Sequence, residues 1–214
     1  MSIQAIIDSA QTIEFDRRKI VGQTVSRSQR IKTAERASAQ PFKLTVTPPA
    51  FLRYSTNRDL IEAIQSTDRN NEVQINLANN TKMAYLTAYQ GRLNNTQLNA
   101  LTITNFTTST VTIGGLPGVA SSTVVFQPGD FIQPENSRYP YIVTNTVTRG
   151  TGSVVTATVH RPAILSEGIS LNTGIKVGTS CTMQVVVATL PTYEVVPHDR
   201  LQFKSEFVLV EKII

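Results

Sequence analysis

Between Leu101 and Pro162 the sequence is divided into short runs of alternating apolar and polar residues, each about ten residues from the next. The runs are separated by Gly-Gly, Leu-Pro-Gly, Gln-Pro-Gly-Asp and Arg-Gly-Thr-Gly segments. Glycine and proline supply the backbone angles that tight turns require. This rhythm predicts a compact module of β-hairpins, which is either an inserted small barrel or an elaboration of the main sheet.

The composition of the whole chain also favours β-structure. Of the 214 residues, 40% are hydrophobic and only 16% are charged, so the polar surface is built largely from Thr, Ser, Asn and Gln. Uncharged polar residues interleaved with β-branched ones are typical of sheets, where branched side chains pack well on the pleated surface. With no Trp and ten prolines, an all-helical fold is disfavoured. We therefore expect a mainly β protein.

Strands are also predicted outside this module. The segment QTIEFD (11–16) alternates apolar and polar residues, and so does PFKLTVTPP, which places Phe42, Leu44 and Val46 on one face. Proline cannot donate a ladder hydrogen bond, so Pro48 and Pro49 end the second strand. EVQINLA, CTMQVVVATLP and the closing segment TYEVVPHDRLQFKSEFVLVEKII complete the set, with a bulge near Ser205 predicted where the alternation slips.

One helix is predicted with a start signal of its own. Thr56 and Asp59 resemble a capping box, and Leu60, Ile61 and Ile64 follow as an apolar stripe. Three segments are less defined. IQAIIDS (3–9) fits an extended lead or a short helical turn, RIKTAERAS fits a loop or an exposed hairpin, and MAYLTAYQG is a possible strand.

These elements suggest one core interrupted by a module. We expect residues 1–100 and 166–214 to form one core around an antiparallel sheet with a single helix laid across it. Residues 101–165 would then be a small inserted β module, since the change in texture falls near residues 100 and 165.

Positive charge is concentrated before and within the Phe42 strand. The chain has a formal net charge of +5. Between residues 17 and 53, Glu35 is the only acid, against Arg17, Arg18, Lys19, Arg27, Arg30, Lys32, Arg36, Lys43 and Arg53. Such a patch suits an acidic protein face, nucleic acid or simple solvation. No aromatic residue is available for base stacking until Phe42, so an acidic protein partner is favoured.

The chain is poor in catalytic and metal-binding groups. Its only histidines are His160 and His198, and the carboxylates are scattered, so we expect no catalytic residues, no metal site and no cofactor. His198 and Asp199 are adjacent and would point to opposite faces of a strand. Glu14/Asp16 and Glu206/Glu211 are possible carboxylate pairs, but few aromatics accompany them to hold a sugar.

Two short features have structural interpretations. In Gln127-Pro-Gly-Asp130 the proline and glycine preset a tight turn, and Asp130 can accept hydrogen bonds from nearby backbone. Cys181 is the only cysteine and lies in an apolar run, so we expect a small buried hydrophobic residue and folding in a reducing compartment. Neither a signal peptide nor a membrane span is predicted, which favours a protein that is soluble and intracellular when made.

Three stretches of the chain resemble a known family. TVSRSQRIKTAERASAQPFKLTVTPPAF resembles the opening of distal tail and baseplate-initiator proteins of long-tailed bacteriophages, and DRLQFKSEFVLVEKI is similar to their closing strand. PGDFIQPENSRYPYIVTNTV together with RGTGSVVTATVHRP looks like a hairpin insert found in some tail proteins of contractile-tailed phages. A galectin-like C-terminal domain, which many distal tail proteins carry, is not recognisable, so a tube-initiating or hub-adjacent component fits better.

The resemblance implies a tail-tube-like antiparallel β-sandwich or barrel with one flanking α-helix and an inserted small β module. It also implies assembly as a ring, expected to be a homohexamer, around a channel. The chain would be a structural virion protein at the tail tube end or baseplate, made in the host cytoplasm, with other tube, baseplate or hub proteins as partners. Nucleic acid would meet it only by passing through the channel. Subunit contacts are expected at Arg27, Arg30, Lys32 and Arg36. The alternative is a carbohydrate- or nucleic-acid-binding β module of a virion or cell surface, built on residues 101–162.

Overall fold

The structure, a computed structural model, describes residues 2–17, 21–25, 31–35, 40–66, 71–77, 81–164 and 169–213. The predicted mainly β, antiparallel fold is confirmed. The described helices are α1 Ser2–Ser9, α2 Tyr54–Ser66, α3 Thr81–Thr87 and α4 Asn95–Asn99. The described strands are β1 Thr12–Asp16, β2 Val21–Val25, β3 Ile31–Glu35, β4 Lys43–Thr47, β5 Leu52–Arg53, β6 Val73–Asn76, β7 Thr102–Phe106, β8 Thr110–Gly114, β9 Val124–Phe126, β10 Phe131–Pro134, β11 Tyr141–Ile142, β12 Val147–Thr148, β13 Val155–Thr158, β14 Thr173–Val177, β15 Thr182–Thr189, β16 Tyr193–Val196, β17 Arg200–Phe203 and β18 Phe207–Glu211.

The two ends of the chain build a five-stranded sheet in the order β1-β4-β18-β15-β6. Its central strand pair places Leu44 opposite Leu209 and Val46 opposite Phe207. The predicted alternation holds, because Phe42, Leu44 and Val46 are all fully buried on one face and β4 ends immediately before Pro48. Burial of side chains of this size is the main source of stability for the sheet.

Helices α1 and α2 contact each other, and both contribute apolar side chains to the core of this sheet. The segment IQAIIDS is helical, and Ile3, Ile6 and Ile7 are buried at the three-to-four-residue spacing of an amphipathic helix. In α2 the predicted residues Ile61 and Ile64 are buried. The predicted helix is thus present, and the structure adds α1 and two shorter helices to it.

The middle of the chain forms a six-stranded sheet in the order β11-β10-β14-β7-β8-β13. The sheet curls until its outer strands meet, since Val143 forms a β-bridge with Val159 and the Thr144 amide donates to the Thr158 carbonyl at 2.9 Å. Strand β14 follows residue 165 in the chain and lies inside this sheet, between β10 and β7. The curled sheet encloses a second apolar core, which includes Ile103, Ile113 and Tyr141.

Three predictions about local structure are wrong. MAYLTAYQG contains helix α3, because Met83 and Thr87, four residues apart, are the positions that face the interior. The Thr56–Asp59 capping box does not start α2, since the helix begins at Tyr54. A bulge near Ser205 is not needed, because the chain turns there and passes from β17 in one sheet to β18 in another.

Small sheets complete the fold. β16, β17 and β5 form a three-stranded sheet, β9 pairs with β12, and β2 pairs with β3. The last pair shows that the segment RIKTAERAS contributes to a hairpin, one of its two predicted structures.

Candidate assembly interface

The basic stretch forms a hairpin that is separate from both large sheets. β2 and β3 pair with each other, with Val21 opposite Glu35, and neither joins another sheet within the part of the chain that the structure describes. The hairpin lies between β1 and β4 in the chain, and these strands pair as far as Asp16 opposite Lys43. The hairpin is therefore inserted in the connection between β1 and β4.

The predicted contact residues fall within this hairpin or next to it. Lys32 lies in β3, and its backbone is opposite Thr24. Arg27, Arg30 and Arg36 lie outside the described residues, and for β2 and β3 the structure describes the backbone alone. Their role in subunit contacts stays a prediction.

A buried arginine anchors the segment that leads from the hairpin into β4. Sequence patterns did not predict this arginine as a site residue. Arg161, which follows β13, is only 1% exposed. Its Nη1 donates to the carbonyl oxygen of Gln40 at 3.0 Å, and its Nη2 donates to that of Pro140 at 2.8 Å. One guanidinium therefore ties the start of β4 to the loop that leads into β11.

Glu211 balances the charge of Arg161. Nη2 of Arg161 donates to Oε1 of Glu211 at 2.7 Å, Nη1 donates to Oε2, and both side chains are fully buried. Oε2 also accepts a hydrogen bond from the Phe42 amide at 3.1 Å, and the Glu211 amide donates to the Phe42 carbonyl at 2.8 Å. A bidentate arginine–carboxylate pair has a fixed geometry, so the pair sets the relative position of the strands that carry it.

Aromatic rings surround the arginine. Cζ of Arg161 lies 4.9 Å from the ring centroid of Phe42, 5.2 Å from that of Tyr141 and 5.9 Å from that of Tyr139. Desolvated cation–π contacts of this kind add to the stability of a buried cation. Three aromatic rings and the Glu211 carboxylate pack around the guanidinium of Arg161. Arg161 is therefore an anchor within the fold rather than a ligand-binding group.

His160 is part of the same cluster. Its ring stacks on Phe42 with centroids 4.9 Å apart, and its Nδ1 accepts the Ile142 amide at 3.0 Å, so the neutral ring carries its proton on Nε2. Burial, followed by the positive charges of Arg161 and Arg17, lowers the pKa of His160 to about 3. The ring is therefore neutral at physiological pH.

The other residues considered as possible catalytic groups are buried, lie in a turn or are hydrogen-bonded within the fold. Cys181 is fully buried, as expected, and burial raises the pKa of its thiol. His198 and Asp199 lie in the turn between β16 and β17 with positive φ angles, and the Asp199 carboxylate accepts hydrogen bonds from Ser55. Glu206 accepts a hydrogen bond from the Thr47 hydroxyl at 3.0 Å.

Asp130 has the role expected from its turn. Its Oδ2 accepts the Gln127 amide at 2.7 Å, and its Oδ1 accepts the amide of Gln90 at the same distance. The carboxyl is fully buried, and burial raises its pKa. It therefore joins the turn before β10 to the segment that follows α3.

The described ranges contain neither a metal-binding cluster nor a membrane-spanning helix. In those ranges, no three His, Cys, Asp or Glu side chains are placed to bind one metal ion. Nor does any helix there have the length and apolar character needed to cross a bilayer.

No protein-family model matches the chain, and the search of curated proteins finds no match.

Proposed function

We propose that this chain is a structural protein of a bacteriophage virion, which forms a ring at the tail tube end or baseplate and links the tube to baseplate or hub proteins. The observation that carries the proposal is the β2–β3 hairpin. It pairs with no other described strand of its own chain, and it continues a strand pair whose base is held by Arg161 and Glu211.

A hairpin of this kind is suited to contact a neighbouring copy. Among the described residues no third strand pairs with it, and the outer edge of such a hairpin can add to a sheet of another subunit. Its sequence is basic, so charge pairing with an acidic face would set register and specificity. The buried anchor at the base would transmit the position of the hairpin to the core of its own subunit, because the Gln40 carbonyl and the Phe42 amide are both held there.

The proposed role is structural rather than catalytic, and it places the protein in the virion tail. The surroundings of the side chains that a catalytic site would use support a structural role. Cys181 is inaccessible, His160 is buried among aromatic rings, and Asp199 is engaged by Ser55. The family resemblance implies a homohexamer, and closure into a ring is expected because contacts between unlike surfaces otherwise produce filaments.

The test is the mass of the purified protein in solution, together with negative-stain electron microscopy. We expect a closed ring of about six subunits. Reversing two arm charges, with Arg27→Glu and Arg30→Glu, should shift the protein to monomers that retain the parent circular dichroism spectrum. The matched control reverses Arg58 and Arg92, two exposed arginines outside the arm, and should leave the ring intact.

A monomer at every concentration would overturn the proposal. Retention of that monomer on a glycan array or a DNA column would instead favour the binding-module alternative. Rings that form equally well in the arm variant would show that assembly does not use the basic arm.

A further inference from the structure

A second feature lies on the three-stranded sheet, away from the hairpin. Strand β5 pairs with β17 so that Arg53 is directly opposite Arg200. The neighbouring pair, Leu52 opposite Leu201, turns inward, and Leu201 is fully buried. Because side chains alternate along a strand, the two arginines share the outer face, where both are exposed.

Two like charges at directly opposed positions lower the stability of a sheet. Within the described ranges, neither Arg53 nor Arg200 forms an ion pair with a carboxylate. Asp199, the residue before Arg200, accepts two hydrogen bonds from Ser55, and its carboxylate also attracts Arg53 without forming an ion pair with it. One nearby carboxylate does not balance two guanidinium groups, so this face keeps a net positive charge that a bound anion would compensate.

An exposed aromatic residue accompanies the two charges. Phe51 is two residues before Arg53, and 66% of it is exposed. Cζ of Arg200 lies 5.3 Å from the centroid of this ring. Stacking on a ring restricts a guanidinium without consuming its hydrogen-bond donors, so Arg200 is held ready for a bidentate acceptor.

We infer that the outer face formed by Phe51, Arg53 and Arg200 docks an acidic segment of a partner protein. Carboxylates of that segment would each accept hydrogen bonds from a guanidinium, and an apolar side chain would cover Phe51. A nucleic acid fits less well, because its binding depends on many cations that neutralise successive phosphates.

The inference does not depend on ring assembly, because it concerns a different sheet from the hairpin. It is tested by fluorescence anisotropy at low ionic strength with two labelled probes, a glutamate-rich peptide that contains one leucine and an oligothymidylate of equal length. We expect the parent protein to bind the peptide more tightly than the oligothymidylate. Arg53→Glu should weaken peptide binding about tenfold or more, since it replaces an attraction with a repulsion. Arg92→Glu, a matched reversal of an exposed arginine elsewhere, should leave it unchanged.

A thermal melt separates docking from a structural role. Arg53→Glu places opposite charges across the strand pair but also sets a second carboxylate near Asp199, so its Tm should stay close to that of the parent while peptide binding is weakened. Arg200→Lys keeps the charge and loses the planar group, and should weaken peptide binding without a change in Tm. Equal losses in the Arg53 and Arg92 variants, tighter binding of the oligothymidylate, or no binding of the peptide would each overturn the inference.

Discussion

Arg161 and Glu211 form a fully buried ion pair that joins the end of the curled sheet to the last strand of the chain. The two residues are 50 positions apart. Their hydrogen bonds also reach Gln40 and Phe42 at the start of β4, so three distant segments meet at one charged contact. Since each partner compensates the burial of the other, the contact is stable only when both are present.

The first prediction follows from this mutual dependence. Glu211→Gln leaves the arginine charge buried without its counter-ion, and Arg161→Met does the same to the carboxylate. Each variant should lower the free energy of unfolding by about 3–5 kcal/mol, measured by urea denaturation. The double variant Arg161→Met with Glu211→Gln should lose less than the sum of the two single variants, because it removes both charges.

A surface pair provides the comparison for this experiment. Lys204 and Glu194 are 3.0 Å apart, and their side chains are 57% and 44% exposed. Lys204→Met should change the denaturation midpoint little, because exposed ion pairs are weak. Additive losses in the double variant of the buried pair would contradict the proposed coupling.

The second prediction concerns the effect of acid on the free energy of unfolding, which follows from the lowered pKa of His160. Its pKa is about 3 in the folded protein, against 6.5 for an ordinary histidine. Between these two values the unfolded chain binds a proton that the folded ring does not bind. The free energy of unfolding should therefore fall as the pH falls from about 6.5 towards about 3, by at most about 1.4 kcal/mol per pH unit from this residue.

The contribution of His160 is isolated by substitution. His160→Asn keeps an acceptor for the Ile142 amide and removes the titrating ring, so its stability should decline less steeply over this pH range. His198→Asn, in the exposed turn, serves as the matched control and should follow the parent curve. Urea titrations at a series of pH values measure all three proteins. Parallel curves for the parent and His160→Asn would contradict the prediction.

Local patterns were sufficient to predict the strands that face one core. Phe42, Leu44 and Val46 alternate and are followed by a proline, and the structure buries all three. The turn at Asp130 was also predictable, because its carboxylate accepts a hydrogen bond from the amide of Gln127, only three residues earlier in the chain. In both cases the determining interactions are close in sequence.

Other features depend on the tertiary fold and gave no local signal. The segment MAYLTAYQG was predicted as a possible strand, which would place Met83 and Tyr85 on one face, but Tyr85 is 90% exposed and the buried residues are Met83 and Thr87, one helical turn apart. The residues Arg161 and Glu211 stood in two of the motifs that support the family resemblance, at the end of VHRP and in the closing strand. Their pairing could not be predicted, since it depends on which strands become neighbours.

The third prediction concerns a close approach at Gly91. A Cβ atom at this position would lie 2.4 Å from the Val125 carbonyl oxygen and 2.1 Å from the hydroxyl oxygen of Tyr89. That hydroxyl donates to the Val125 carbonyl and accepts from the Leu93 amide, so it is not free to move. Gly91→Ala should lower the free energy of unfolding by about 1–3 kcal/mol, as overpacking does.

Gly118 is the matched control for Gly91. An added Cβ there meets no atom within 4 Å, and its φ angle is not in the positive region. Gly118→Ala should leave stability unchanged or raise it by about 0.4–1 kcal/mol, because alanine restricts the unfolded chain. Equal urea midpoints for the two variants would show that the backbone at residue 91 can move to accept a side chain.

The last prediction concerns the start of α2, which is capped from another part of the chain. Oδ1 of Asp199 accepts the Ser55 amide at 2.8 Å, Oδ2 accepts the Ser55 hydroxyl, and the Asp199 carbonyl accepts the Tyr54 amide at 3.0 Å. The hydrogen bonds from Ser55 lower the pKa of Asp199. This stabilisation is therefore complete above the ordinary aspartate pKa of 3.8 and is lost as the pH falls through the lowered folded-state value.

Substitution at Asp199 separates the cap from the backbone angle. Asp199 has a φ of 60°, which glycine adopts without strain, so Asp199→Gly removes the carboxylate alone. This variant should have a lower Tm and faster amide hydrogen exchange at Ser55. Asp199→Asn keeps an acceptor for the Ser55 amide and tolerates the same φ, so it should retain most of the protection. If exchange at Ser55 is unchanged in the glycine variant, the helix does not depend on this cap, and its first turn is held by the burial of Ile61 and Ile64.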